Sequence, residues 1–256
     1  MPNCLVHPSL PHLLLVIFCT CLLLGCQSDE LDQGNAAKEE NTNDIPNKIM
    51  PLGASRVQGF SPWFESYRYE LWKDLIDGGW DFDYLGTETE TGSYPNYEGL
   101  SFDPDHQGKM SWTSEQIFEE LESILHETGY PDIVLFSSPG GNDILDGLPY
   151  EKVVENINGI IDIFQNRNPE IVILIEQLAP GKTSFMTPEL TAIFDQAILD
   201  VETIAQEQSN DDSQVIPVNM YDGFQDRYLS DDIHYNEEGA KFIAKRYYEV
   251  LQTVLE

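Results

Sequence analysis

Three short segments of the chain hold residue types that together can carry out acyl transfer. Gly53-Ala54-Ser55-Arg56 places a hydroxyl in a glycine-containing turn directly after the apolar run Ile49-Met50-Pro51-Leu52. Ser137-Ser138-Pro139-Gly140-Gly141-Asn142-Asp143 sets a side-chain amide in a second glycine-rich turn, again after an apolar run. Ser230-Asp231-Asp232-Ile233-His234-Tyr235-Asn236 puts a carboxylate three residues ahead of an imidazole. A serine hydroxyl is a weak nucleophile until a base takes its proton, and that base needs a partner to fix its tautomer and stabilise the imidazolium. Asp231 and His234 meet the second need locally. Each segment alone also fits ordinary turn or capping chemistry. The Gly-x-Ser-x-Gly elbow is not completed, because Val57 stands at its last position.

Elimination narrows the base. Of the five histidines, His7 and His12 lie in the N-terminal leader, and His126 falls beside Glu127 in a helix-period segment. His234 and His106 remain. The four cysteines, Cys4, Cys19, Cys21 and Cys26, all lie in or at the edge of that leader. The domain beyond it therefore has no thiol, which excludes a cysteine nucleophile, a thiolate metal site and a disulfide scaffold.

The apolar stretch Leu13–Leu24 has no Lys, Arg, Asp or Glu before Asp29 and is short for a membrane span. Residues 1–25 read as an export signal. Leu23-Leu24-Gly25-Cys26 resembles the lipobox of bacterial lipoproteins, which implies lipidation at Cys26 and an exported, membrane-anchored protein. Residues 26–47, polar and without aromatics, read as a flexible acidic tether. Residues 48–256 form one domain.

A net charge of -32, from 45 acidic against 13 basic residues, repels phosphate backbones. Nucleic acid is excluded as a partner, and strongly anionic substrates are disfavoured.

Positioning elements follow from the hydrophobic period. Ile49–Leu52, Phe82–Leu85, Ile133–Ser137, Ile171–Ile175 and Val215–Val218 read as strands, and segments 65–76, 114–127, 150–166, 188–208 and 236–255 as helices. Strand alternating with helix predicts an α/β protein, a three-layer α/β/α sandwich on a five-stranded parallel sheet. Working sites in such sheets lie at the strands' carboxyl ends, where the three segments fall. Trp63, Phe64, Tyr67 and Trp72, at helical spacing, are expected in the core. The long connection 87–112 carries Tyr94, Tyr97, Phe102 and Trp112, with Phe102 expected beneath the loop and the others free to face a ligand. Asp103 and Asp105 lack a calcium-loop signature and read as solvated.

Ile49-Met50-Pro51-Leu52-Gly53-Ala54-Ser55, Gly141-Asn142-Asp143 and Asp231-x-x-His234 resemble, in order, the first, third and last blocks of the SGNH (GDSL-type) hydrolases, a flavodoxin-like fold. Ser66-Tyr67-Arg68-Tyr69-Glu70-Leu71 and His106-Gln107-Gly108-Lys109-Met110-Ser111-Trp112-Thr113 are similar to segments of family 3 carbohydrate esterases, which include acetyl xylan esterases. The resemblance implies Ser55 as nucleophile, His234 as base and Asp231 as its orienting acid. It also implies an oxyanion hole from the N–H groups of Ser55 and Ser111 and the Asn142 amide. Arg56, His106 and Trp112 become substrate-binding candidates, and no metal or cofactor is required. Two positions depart from the pattern. Ala54 replaces the usual Asp, and Ser111 replaces a Gly whose N–H survives only if serine takes the required φ.

The implied substrate is an O-acyl, above all O-acetyl, ester of a neutral carbohydrate. Two other readings stand beside it: a lipase, lysophospholipase or thioesterase of the same fold, and a non-catalytic glycan-binding surface lipoprotein.

Overall fold

A computed structural model describes residues 46–89 and 92–255. The expected export signal, Cys26 and nearly all of the expected tether lie outside the described residues. Asn47, assigned to the tether, is already buried, and its side-chain amide donates to the Asp81 carbonyl at 2.9 Å.

The chain runs β1 (Lys48–Gly53), α1 (Ser55–Gln58), α2 (Arg68–Gly78), β2 (Asp83–Tyr84), β3 (Glu88–Thr89), β4 (Asp105–Gly108), α3 (Ser114–Thr128), β5 (Ile133–Phe136), α4 (Gly141–Leu145), α5 (Tyr150–Arg167), β6 (Val172–Gln177), α6 (Pro188–Gln208), β7 (Gln214–Asn219) and α7 (Glu237–Leu251). The strands form one sheet in the order β3-β4-β1-β5-β6-β7, with β2 also on β1. All pairings are parallel except β3 with β4.

The sheet thus has seven strands rather than the five expected, and the difference lies on one side of β1. Asp83–Tyr84 pairs with Lys48–Ile49, whereas Gln107–Gly108 pairs with Leu52–Gly53. Two short strands share one edge of β1. The neighbour changes across Met50-Pro51, where proline has no N–H to give. β3 and β4 were hidden because their sequences, Glu-Thr and Asp-His-Gln-Gly, carry no apolar run.

Alternate residues of the central strands feed two cores, as a strand's period of two requires. Met50, Leu52, Val134, Phe136, Ile173 and Ile175 pack with α3, α5 and α6. Ile49, Ile133, Leu135 and Leu174 pack with α2 and α7. The result is three layers, with the sheet in the middle. Helix starts are set by side-chain caps: Thr113 with Gln116 in a capping box, Thr187 before Pro188, and Asn236 accepting from the Gly239 N–H.

Candidate active site

Ser55 opens α1 immediately beyond β1. The turn requires Gly53, whose φ is +154° and whose missing Cβ would stand 2.7 Å from the Ser137 carbonyl oxygen. The carbonyl end of α1 is held from beneath. The fully buried Arg68 donates to the carbonyls of Val57 (2.8 Å), Gln58 (3.1 Å) and Pro104 (2.8 Å), and the Ser66 hydroxyl donates to Val57 as well. A guanidinium there also suits the partial negative charge of helix carbonyls.

The loop before α7 delivers the imidazole. His234 Nε2 lies 2.9 Å from Ser55 Oγ, and Nδ1 lies 2.8 Å from Asp231 Oδ2. Asp231 Oδ1 accepts the N–H groups of Ile233 and His234, so one carboxylate shapes the loop and orients the ring. Partial burial pushes the Asp231 carboxyl up, but the N–H donors of His234 and Ile233 and the imidazole outweigh it and leave the carboxyl below its ordinary value. Asp231 therefore stays ionised. The Phe64 ring stacks on His234 at 4.0 Å between centroids.

Arg56, next to Ser55, is buried and bound to the scaffold. It donates to the carbonyls of Ile233 (2.9 Å) and Ala179 (2.9 Å) and lies 4.7 Å over the Tyr235 ring. These bonds clamp the histidine loop to the loop after β6. Arg56 lines the cleft, but its donors point mainly into protein.

Asn142 sits in the first turn of α4. Its Nδ2 donates to the Trp112 carbonyl at 2.7 Å, which ties it to the turn carrying Ser111. An amide nitrogen has two hydrogens, so one donor remains to assign. In that turn the Trp112 N–H bonds the Lys109 carbonyl, and Ser111 has φ +62° while Met110 is not in the left-handed region. This is the third position of a type II turn, where glycine is the usual residue. Serine takes the glycine conformation here. Asp143, 2% exposed, fastens α4 to α3 by accepting the Ser114 N–H and hydroxyl.

A cleft lies beside Ser55, lined by Ala54, Arg56, Ser138, Gly141, Asn142, Leu145, Leu178, Phe194 and Ile233. Ala54 also contacts the core under α3 and α5.

Several expectations need correction. His106 lies on β4, 1% exposed, and accepts the Gly108 N–H through Nδ1. Burial, aided by the Arg68 charge, drives its pKa down to about 2. Neutral and enclosed, it presents no face to a ligand. Trp112 is also buried and is absent from the cleft lining; its carbonyl, rather than its ring, meets the site, and Lys109 Nζ lies 4.5 Å over that ring. Asp103 is not simply solvated, since it accepts the N–H groups of Tyr84 and Asp105. Phe64, Tyr67 and Trp72 are core residues, but Trp63 is 65% exposed, because residues 59–66 form a turn rather than a helix. Phe102 packs among Tyr69, Trp72 and Tyr94 as expected.

One buried residue of the site has no counterpart among the sequence candidates. Glu176, at the end of β6 and fully buried, accepts the Ser138 N–H at 2.9 Å and the hydroxyls of Ser137, Ser138, Tyr235 and Tyr247. It joins the loop bearing Asn142 to the loop bearing His234. A charge closing the apolar run Val172–Ile175 was its only signal in the sequence.

The three-layer architecture has known parallels. A family 3 carbohydrate esterase from Talaromyces cellulolyticus superposes with a TM-score of 0.70 at 22% identity, covering 81% of this chain and 97% of that one. A Clostridium thermocellum family 3 carbohydrate esterase gives 0.66 at 26% identity, over 82% and 99%. The fold is that of the SGNH hydrolases. A lipase/acylhydrolase from Enterococcus faecalis shares this fold more distantly, with a TM-score of 0.59 at 13% identity over 82% of this chain and 97% of the other. No protein-family model matches the sequence, and no curated protein matches it.

Proposed function

We propose that the protein is a serine esterase that removes O-acetyl groups from a neutral carbohydrate. The observation that carries this reading is the unbroken path from Ser55 Oγ through His234 to Asp231, with both hydrogen-bond distances below 3 Å. A non-catalytic binding protein has no need of that alignment. The esterases and acylhydrolases among the structural neighbours support a hydrolase.

In the proposed reaction Ser55 Oγ attacks the acyl carbon as His234 Nε2 takes its proton. The negative charge on the carbonyl oxygen is met by the N–H groups of Ser55 and Ser111 and the Asn142 amide. Donors of this kind contribute about 3 kcal/mol each when preorganised. The imidazolium, stabilised by Asp231, gives its proton to the departing sugar hydroxyl. Water then repeats the sequence on the acyl-serine, and acetate leaves.

The cleft beside Ser55 has room for about two water-sized groups. An acetyl methyl fits that space, beside the apolar side chains of Leu145, Leu178 and Phe194. Export and a lipid anchor at Cys26 belong to the same proposal, holding the enzyme where glycan fragments arrive.

Nitrophenyl esters test it. Acetate release is expected to exceed octanoate release by at least about tenfold in kcat/KM, and Ser55→Ala to lower kcat at least about a thousandfold. Equal rates for wild type and Ser55→Ala reject the esterase. A preference for octanoate keeps the nucleophile and rejects the acetyl assignment.

A further inference from the structure

Two large rings stand in solvent, one ring removed from the imidazole. Phe60 is 49% exposed and Trp63 is 65% exposed. They stack on each other at 4.6 Å with 15° between their planes. Phe60 also meets Phe64 at 6.1 Å, and Phe64 is the ring that stacks on His234. An exposed aromatic pair is thus continuous with the reacting groups.

The backbone fixes this pair. The Phe60 N–H bonds the Phe64 carbonyl at 3.0 Å, and the Trp63 N–H bonds the Phe60 carbonyl at 2.9 Å. The Ser61 hydroxyl reaches Glu65 at 3.2 Å, and the Glu65 N–H bonds the carbonyl of Tyr235, the residue after His234. A closed turn fastened to the histidine loop displays the rings. Large apolar rings exposed together on a fixed turn mark a binding surface more often than a solvated one.

We infer that Phe60 and Trp63 form a stacking platform for a neutral pyranose ring of the substrate's leaving-group side. This rests on the esterase reading above and adds the surface that recognises the alcohol. A pyranose has an apolar C–H face that suits a flat indole and a hydroxyl rim that suits the polar edge of Ser61 and Glu65. The net charge of -32 disfavours the other flat ligand, a nucleotide base with its phosphates, and opposes pairing of two copies through this patch. A long acyl chain is served poorly, since an open stacked face gives it no enclosure.

The test reads binding without turnover. Calorimetric titration of a partially acetylated xylo-oligosaccharide into the Ser55→Ala protein gives a reference Kd. Adding Trp63→Ala is expected to raise that Kd at least tenfold, and Trp63→Phe to recover most of the loss. In otherwise wild-type protein, Trp63→Ala is expected to lower kcat/KM for the acetylated saccharide at least fivefold more than for nitrophenyl acetate. An unchanged Kd in Trp63→Ala, or no saccharide binding at all, overturns the platform. So does sedimentation showing a wild-type dimer that Trp63→Ala dissociates with Kd unaltered. The esterase reading fails separately, through the Ser55→Ala comparison on nitrophenyl acetate.

Discussion

At the scale of single residues, the proposed oxyanion hole includes a serine held where glycine is usual. Ser111 at φ +62° carries a Cβ that crowds the following carbonyl. For an L-residue this conformation costs about 1–2 kcal/mol. The turn is held from both ends: the Met110 N–H bonds Gln58 Oε1, and the Lys109 N–H bonds the Gly53 carbonyl at 3.3 Å. Ser111→Gly is therefore expected to stabilise the protein by about 0.5–1 kcal/mol in urea unfolding, the relief of strain exceeding the added freedom of the unfolded chain. Ser111→Val is expected to do the opposite, because a β-branched residue resists positive φ. It should lower stability by about 1–2 kcal/mol and kcat by about tenfold or more, since the N–H shifts away from the developing charge. Normal kcat in a destabilised Ser111→Val protein would remove this N–H from the proposed mechanism. The sequence exposed the question through a Ser in a Gly position, but only a backbone dihedral answers it.

At the scale of elements, two loops must hold their relative position for Ser55, His234 and Asn142 to meet, and Glu176 links them. The Glu176 carboxylate oxygens accept from one N–H and four hydroxyls. Glu176→Gln puts an NH2 group among those donors, so a buried polar group loses its partner at a cost of about 2–3 kcal/mol. Urea unfolding is expected to register that loss, and kcat on nitrophenyl acetate to fall about tenfold as both loops loosen. A destabilised variant with unchanged kcat would make Glu176 structural only. The sequence disclosed such elements unevenly. Helices with strong apolar period, such as α3, α5 and α6, were legible to within a residue or two, as were the central strands with their continuous apolar runs. β3, β4, α1 and α4 were not, because each is at most five residues long and is held by neighbours rather than by its own pattern. The burial of His106 on β4 and of Trp112 in the core under α3 and α5 is likewise set by neighbours distant in the chain, which a local pattern does not show. Ser55 and Asn142 stood out through their strand-end turns, and Asp231 and His234 through their spacing ahead of the last helix.

At the scale of the whole molecule, folding stability responds to pH through groups that the fold holds away from their ordinary ionisation. His106 has a pKa of about 2 in the folded protein, lowered by burial and by Arg68, against about 6.5 for an unfolded histidine. Below about pH 6.5 the unfolded chain takes up a proton that the folded chain refuses, so stability is full above that pH and declines as pH falls, by up to about 1.4 kcal/mol per unit. Asp103 acts in the opposite sense. Burial raises its carboxyl to about 6, despite the lowering effect of its two N–H donors, against about 3.9 unfolded. Its contribution is present at low pH and is lost as pH rises from about 4 through 6. The two slopes oppose each other across this window, on adjoining parts of the same sheet edge. Thermal midpoints of three proteins at constant ionic strength, between pH 7 and pH 4, separate them. Relative to wild type, His106→Gln is expected to gain stability steadily as pH falls, whereas Asp103→Asn is expected to lose it between pH 6 and 4. The general acidity of the chain, 45 carboxylates against 13 basic groups, affects all three proteins alike and cancels in the differences. Parallel midpoint curves for wild type and His106→Gln would mean that His106 takes up its proton without unfolding, and that β4 opens to solvent at an acidity the rest of the sheet survives.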